Sequence, residues 1–135
     1  MKHVHFRLAL LGCLACAASA LPGCGAQPVE IPPTYPVHGR VAFADGQPLT
    51  CGMVHFQSLD DRQVSMTGEV DANGRFTIET FVVGDRVPGA VEGRHRVTIL
   101  PAISDQLSQP TVIPEPIIVA PGENELSFTI ERTKI

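Results

Sequence analysis

From Val37 onward, apolar and polar residues alternate with a period of two, the spacing of strands that bury one face and expose the other. Val37, Gly39, Val41 and Phe43 alternate with His38, Arg40 and Ala42, and Ala44-Asp45-Gly46-Gln47-Pro48 supplies the turn residues that end this first predicted strand. Val54 and Phe56 form the inward pair of a second, and Val64, Met66 and Val70 mark a third. Asp71-Ala72-Asn73-Gly74 has the chemistry of a tight hairpin turn, with a glycine free to take positive φ, and predicts that the third strand pairs with a fourth carrying Phe76 and Ile78. A loop over residues 82–93 leads to a fifth strand at Val97 and Ile99. Residues 117–119 make a short sixth, Pro121-Gly122-Glu123-Asn124 turns, and Leu126, Phe128 and Ile130 close a seventh. Nothing has the 3.6-residue period of a helix. Seven short alternating strands with regular turns predict an all-β fold, a seven-stranded Greek-key β-sandwich over residues 37–135.

The N-terminal part follows another pattern. Residues 1–7 carry Lys2 and Arg7 and no acid, and residues 8–21 are apolar except for Ser19. Fourteen residues fall short of the roughly 20 that a transmembrane helix needs, so the charge and length fit a secretory signal over residues 1–23. Leu21-Pro22-Gly23-Cys24 resembles the lipobox of bacterial lipoproteins, with Leu21 at minus three, Gly23 at minus one and Cys24 as acceptor; Pro22 departs from the usual small or aliphatic residue. Leu10-Leu11-Gly12-Cys13 is a second match, but cleavage there would leave only a few apolar residues behind Arg7. The resemblance implies that Cys24 receives a thioether-linked diacylglycerol and, on its freed amine, a further acyl chain such as palmitate. One chain binds a bilayer marginally and two or more hold firmly. Gly25 in place of Asp implies sorting to the outer membrane of a bacterial cell envelope, on a face the residues leave open.

Cleavage after Gly23 would leave 112 residues, enough for one domain. Residues 24–36 would form the lipidated cysteine and a stalk, because four prolines in residues 25–36 stiffen the chain toward polyproline geometry, about 3.1 Å per residue. Two of the ten basic residues and none of the fourteen acidic ones lie in the signal, so the remainder carries a net charge of −6 with histidines neutral. That balance argues against nucleic acid, whose phosphates require a basic face. With Cys13 and Cys16 in the signal and Cys24 acylated, Cys51 is the remaining thiol, and no intramolecular disulfide can form. The usual preference of free cysteine predicts that Cys51 is buried at the mouth of the second strand, with intermolecular pairing as the alternative.

The series Val37-His38-Gly39-Arg40-Val41, Gly46-Gln47-Pro48-Leu49, Val70-Asp71-Ala72-Asn73-Gly74-Arg75-Phe76, Glu92-Gly93-Arg94-His95-Arg96-Val97-Thr98-Ile99 and Pro121-Gly122-Glu123-Asn124 resembles the carboxypeptidase regulatory-like domain, a transthyretin-like fold found in small bacterial lipoproteins. The resemblance spans nearly all of the chain beyond the stalk. It implies a transthyretin-like or Ig-like sandwich acting as a non-catalytic accessory or binding module. Each matching motif is a turn with its flanking strands and carries no chemistry.

Catalytic constellations are weak. His38 and His55 alternate with inward residues and are expected outside, on strands that the transthyretin-like topology assigns to opposite sheets; His95 is in phase with Val97 at a strand mouth. No H-x-x-E or C-x-x-C spacing supports zinc, and no metal or other cofactor is expected. His38-Gly39-Arg40 echoes the hydroxyisourate hydrolases of the transthyretin-like fold, but their C-terminal Tyr-Arg-Gly-Ser is missing. Asp60-Asp61 and Asp71-x-Asn73 lack the later ligands of an EF-hand. Isopeptide cross-linking requires an early buried lysine, and Lys134 is the sole lysine beyond the signal. A flat glycan platform needs exposed aromatic faces, yet there is no Trp, Tyr35 falls in the stalk, and Phe43, Phe56, Phe76 and Phe128 are in phase with the core, which leaves Phe81. Recognition is therefore assigned to two loops: residues 81–93, with Asp85, Arg86 and Glu92, and residues 101–116, with Asp105, Gln106 and four prolines. Long ordered loops are frequent binding sites, whereas proline on a sheet edge can also simply block further strand addition. The expected partners are the membrane, through the lipid, and an envelope protein or glycan.

Overall fold

A computed structural model describes residue 23 and residues 30–102 and 109–132; Cys24 and residues 103–108, with Asp105 and Gln106, lie outside the described residues. Among the described residues there is no helix and there are twelve strands: β1 (Thr34–Tyr35), β2 (Val37–Phe43), β3 (Gly52–Ser58), β4 (Ser65–Val70), β5 (Arg75–Thr77), β6 (Glu79–Val82), β7 (Asp85–Pro88), β8 (Ala90–Val91), β9 (Gly93–Pro101), β10 (Thr111–Val112), β11 (Ile117–Val119) and β12 (Asn124–Ile130). They form an all-β sandwich. One sheet runs β10-β9-β3-β4-β6-β7, with β11 also on β9; the other runs β12-β2-β5; and β1 pairs with β8 in a two-stranded ribbon. All pairings are antiparallel except β2 with β12, which run parallel over seven register pairs.

The inward residues of the alternating pattern make the core between the sheets. Val37, Val41, Phe43, Val54, Phe56, Met66, Val70, Phe76, Ile78, Val97, Ile99, Val119, Phe128 and Ile130 are all buried. Phe76 and Phe128 stack across β2 with centroids 5.8 Å apart. Gly39 makes that stack possible, because a Cβ there would collide with the Leu126 carbonyl and come within 2.8 Å of the Phe76 ring.

Residues 71–74 form the expected turn but not a hairpin ladder. Asp71 N–H donates to the Arg75 carbonyl at 2.9 Å, Gly74 N–H donates to the Asp71 carbonyl at 3.0 Å, and Gly74 takes φ of 79°. Beyond it, however, β5 pairs with β2 in the three-stranded sheet, and β4 pairs with β6 instead. The chain changes sheets at Ile78, whose N–H donates to the Val37 carbonyl and whose own carbonyl accepts from Gly89 N–H, both at 2.9 Å. The turn chemistry dictates the reversal; side-chain burial on both sheets dictates the pairing.

Other expectations change. Residues 82–93, read as a loop, contain the end of β6, the turn of the β6–β7 hairpin, β7 and β8, because β7 alternates too little to show a buried face. Thr34 and Tyr35, read as stalk, form β1, and Tyr35 packs on the core. Cys51 is exposed rather than buried. It occupies the bend before β3, outside the strand's alternation, with its carbonyl accepting from Ala102 N–H at 3.1 Å.

Candidate recognition surface

The β6–β7 hairpin stands at the edge of the larger sheet and carries an ordered set of exposed side chains from the first predicted loop. Its register sets Phe81 against Arg86 and Glu79 against Pro88. Opposed residues share a face, so Phe81, Arg86 and Glu79 gather on the outer side. Arg86 Cζ lies 5.1 Å from the centre of the Phe81 ring, within cation–π range, and its Nη1 is 3.6 Å from Glu79 Oε2. On the other face, buried Thr80 donates its hydroxyl to the Gly89 carbonyl at 2.8 Å and pins the hairpin to the body. Phe81 remains 39% exposed, as the sequence pattern anticipated.

This hairpin walls an open groove of about 400 Å³ at the seam where β5 leaves β4. Met53, Thr67 and Glu69 line one side, Arg75 and Thr77 the other, and Phe81 and Arg86 close the end. At Gly68 the backbones of β4 and β5 approach so closely that a Cβ would collide with the Thr77 carbonyl oxygen. Asp71 sits at the opposite end with Oδ1 accepting from the N–H groups of Arg75 and Asn73 at 2.9 and 2.8 Å. Those two bonds, the Arg75 amide first, hold its carboxyl below the usual value, and they account for Asp71 without a metal ion. The groove mixes both signs of charge with one aromatic face, a lining suited to a polar ligand.

The structure separates the sequence candidates. Of Asp85, Arg86 and Glu92, Arg86 alone lines the groove; Asp85 alternates away from it on β7, and Glu92 is exposed between β8 and β9. Glu69, Arg75 and Glu79 went unnoticed because their proximity depends on strand register, which a single chain's pattern does not encode.

The histidines are dispersed, on strands of opposite sheets for His38 and His55. His38 is exposed, with Nδ1 3.6 Å from Glu123 Oε2. His55 Nε2 lies 3.1 Å from Ser65 Oγ, a serine–imidazole contact on the outer face of the larger sheet. No other hydrogen bond orients that imidazole among the described residues. A nucleophile–base pair acts with such an orienting group and with oxyanion donors, so the contact alone assigns no chemistry. His95 is fully buried, its Nε2–H donating to the Val91 carbonyl at 2.7 Å and its ring 5.8 Å from that of Phe56. Desolvation lowers its pKa, partly offset by the Val91 bond and by Asp60.

No family model matches the chain, and no curated protein matches it. Among solved structures it is similar to the dioxygenase domain of a dioxygenase and carbohydrate-binding protein fusion from the cellulolytic bacterium Streptomyces sp. SirexAA-E. Identity is 16%, covering 84% of this chain and 96% of that one, and the TM-score of 0.43 is too low to carry an argument about this protein.

Proposed function

We propose that the chain is an exported bacterial lipoprotein, anchored to the outer membrane through acylated Cys24, whose carboxypeptidase regulatory-like sandwich is a non-catalytic recognition module of the envelope. The Leu21-Pro22-Gly23-Cys24 pattern behind a short apolar run supports the anchor. The observation that carries the recognition role is the β6–β7 hairpin, which holds Phe81, Arg86 and Glu79 together over an open groove. Aromatic and arginine side chains dominate binding hot spots. An envelope protein or glycan is the partner class; β10, from the second predicted loop, lies at the opposite edge of the same sheet.

Palmitate labelling in cells followed by cross-linking capture of the full-length protein tests both halves. The wild type is expected to incorporate label and Cys24→Ala to lose it; persistent labelling of Cys24→Ala refutes the anchor. A defined cross-linked partner, lost in a Phe81→Ser/Arg86→Ala variant of unchanged melting temperature, is the expected outcome for recognition. Equal capture by both proteins would make the domain a structural spacer.

A further inference from the structure

The outer face of the three-stranded sheet carries two arginines side by side. Arg40 on β2 and Arg75 on β5 are register partners, as are His38 and Thr77. Val41 N–H donates to the Gly74 carbonyl at 2.8 Å and Ile78 N–H to the Val37 carbonyl at 2.9 Å. These bonds flank Arg40–Arg75 and His38–Thr77, which identifies both as non-hydrogen-bonded pairs, the closer kind in an antiparallel ladder, with Cα atoms about 4.5 Å apart. On the other side of β2, the parallel pairing sets Glu125 beside His38 and Ser127 beside Arg40. All six residues are exposed and line one concavity of about 780 Å³.

Like charges directly opposed across strands destabilise a sheet. Three other arginines are paired, Arg86 with Glu79, Arg94 with Asp60 and Arg132 with Asp45, whereas Arg62 and Arg96 stand singly and unpaired among the described residues. Neither Arg40 nor Arg75 takes part in an ion pair among the described residues. Of the two acids four residues from Arg75 along the chain, Asp71 has its Oδ1 engaged by backbone N–H groups and Glu79 pairs with Arg86. The two arginines thus stand on register-paired positions without an ion-pair partner among the described residues, Arg75 feeling the Asp71 charge only at a distance, and their guanidiniums have the fork geometry that binds carboxylate and phosphate.

We propose that Arg40 and Arg75 jointly bind the oxyanion of an acidic saccharide, a uronate carboxylate or a sugar phosphate, with the sugar seated against Thr77, Glu125 and Ser127. Hydroxyls and a carboxylate around the arginine pair match a ligand rich in hydroxyl groups. The concavity is larger than an inorganic ion requires. The acidic chain, of net charge −4, repels densely anionic polymers, so a ligand with an isolated negative charge suits this local basic pair. The site meets the seam groove along Arg75 and Thr77, which line both, and it stands independently of the lipid anchor.

Titration calorimetry of the full-length protein in detergent tests the proposal, with digalacturonate and glucose 6-phosphate as the two acidic probes. The dimethyl ester of the first and glucose serve as neutral controls, and tetra-aspartate as a peptide control. Saturable binding of either acidic sugar is expected, weakened by salt, and whichever binds identifies the oxyanion. Arg40→Ala and Arg75→Ala are each expected to lower that affinity about tenfold or more, while Arg96→Ala on the other sheet leaves it unchanged. Arg40→Gln and Arg75→Gln, which keep part of the side-chain stem, repeat the measurement should an alanine variant unfold. The proposal is overturned if neither acidic sugar binds, if the neutral sugars bind equally well, if the arginine variants bind like wild type, or if tetra-aspartate binds as tightly as the sugars.

Discussion

His95 shows how one buried side chain couples the fold to pH. A carbonyl can only accept, so the bond to Val91 fixes the neutral tautomer with its proton on Nε2, and Nδ1 is left buried without a hydrogen-bond partner among the described residues. Protonating Nδ1 would create a buried, charged N–H donor with no acceptor. The folded pKa accordingly lies below the unfolded value of about 6.5. Over the interval between those values the unfolded chain binds the extra proton, so this contribution to stability is complete above the unfolded pKa and is lost as pH falls toward the folded one, by at most about 1.4 kcal/mol per pH unit. Denaturant unfolding at pH 7.5 and pH 5 checks this. The acid-side loss should be smaller in His95→Gln, which can still donate to Val91 but cannot become charged. An identical loss in both proteins would contradict the assignment.

At the scale of elements, the β6–β7 turn departs from its own residue preferences. Val82 pairs with Asp85 across a two-residue loop, and Val83 and Gly84 both take positive φ, 26° and 88°. Tight hairpins use such turns, but asparagine or glycine normally fills the first position; a β-branched residue with positive φ is an outlier, costing of order 1 kcal/mol or more. Val83→Asn is expected to raise stability by about 1 kcal/mol, read as a higher unfolding midpoint, because exposed Val83 surrenders no core packing. A lower midpoint would show that the valine is not strained. The same turn explains what the sequence concealed. Strands with a buried face, such as β2, β3 and β9, were legible because Val41, Phe56 and Val97 recur at period two. In contrast, β7 reads Asp-Arg-Val-Pro with little buried surface, and Val83-Gly84 lacks an asparagine or aspartate at the turn's first position. Arg86 was legible as an exposed charge. Its partners Glu79 and Phe81 required the hairpin register, and the Arg40–Arg75 pair required knowing that β5 leaves β4 to join β2.

Across the whole molecule, protection should follow sheet position. β3 is hydrogen-bonded along both edges, by β4 and β9, and β9 lies between β3 and the short β10 and β11. By contrast, β7 is an edge strand and β1 holds the body through two register pairs on β8. Hydrogen exchange by NMR is expected to find the slowest amides in the centres of β3 and β9 and fast ones in β1, β7 and β10. Uniform exchange across these strands would mean that the sandwich opens as one unit.

The parallel pairing of β2 with β12 has a mechanical consequence. Tension applied ahead of Thr34 and beyond Ile130 would first peel the two residue pairs of β1 from β8, then reach β2 at its N-terminal end and β12 at its C-terminal end. Because those strands point the same way, the load would slide one along the other, straining all seven register pairs together instead of unzipping them in turn. A body held at one end and pulled at the other would give a little at β1 and then resist as a clamp.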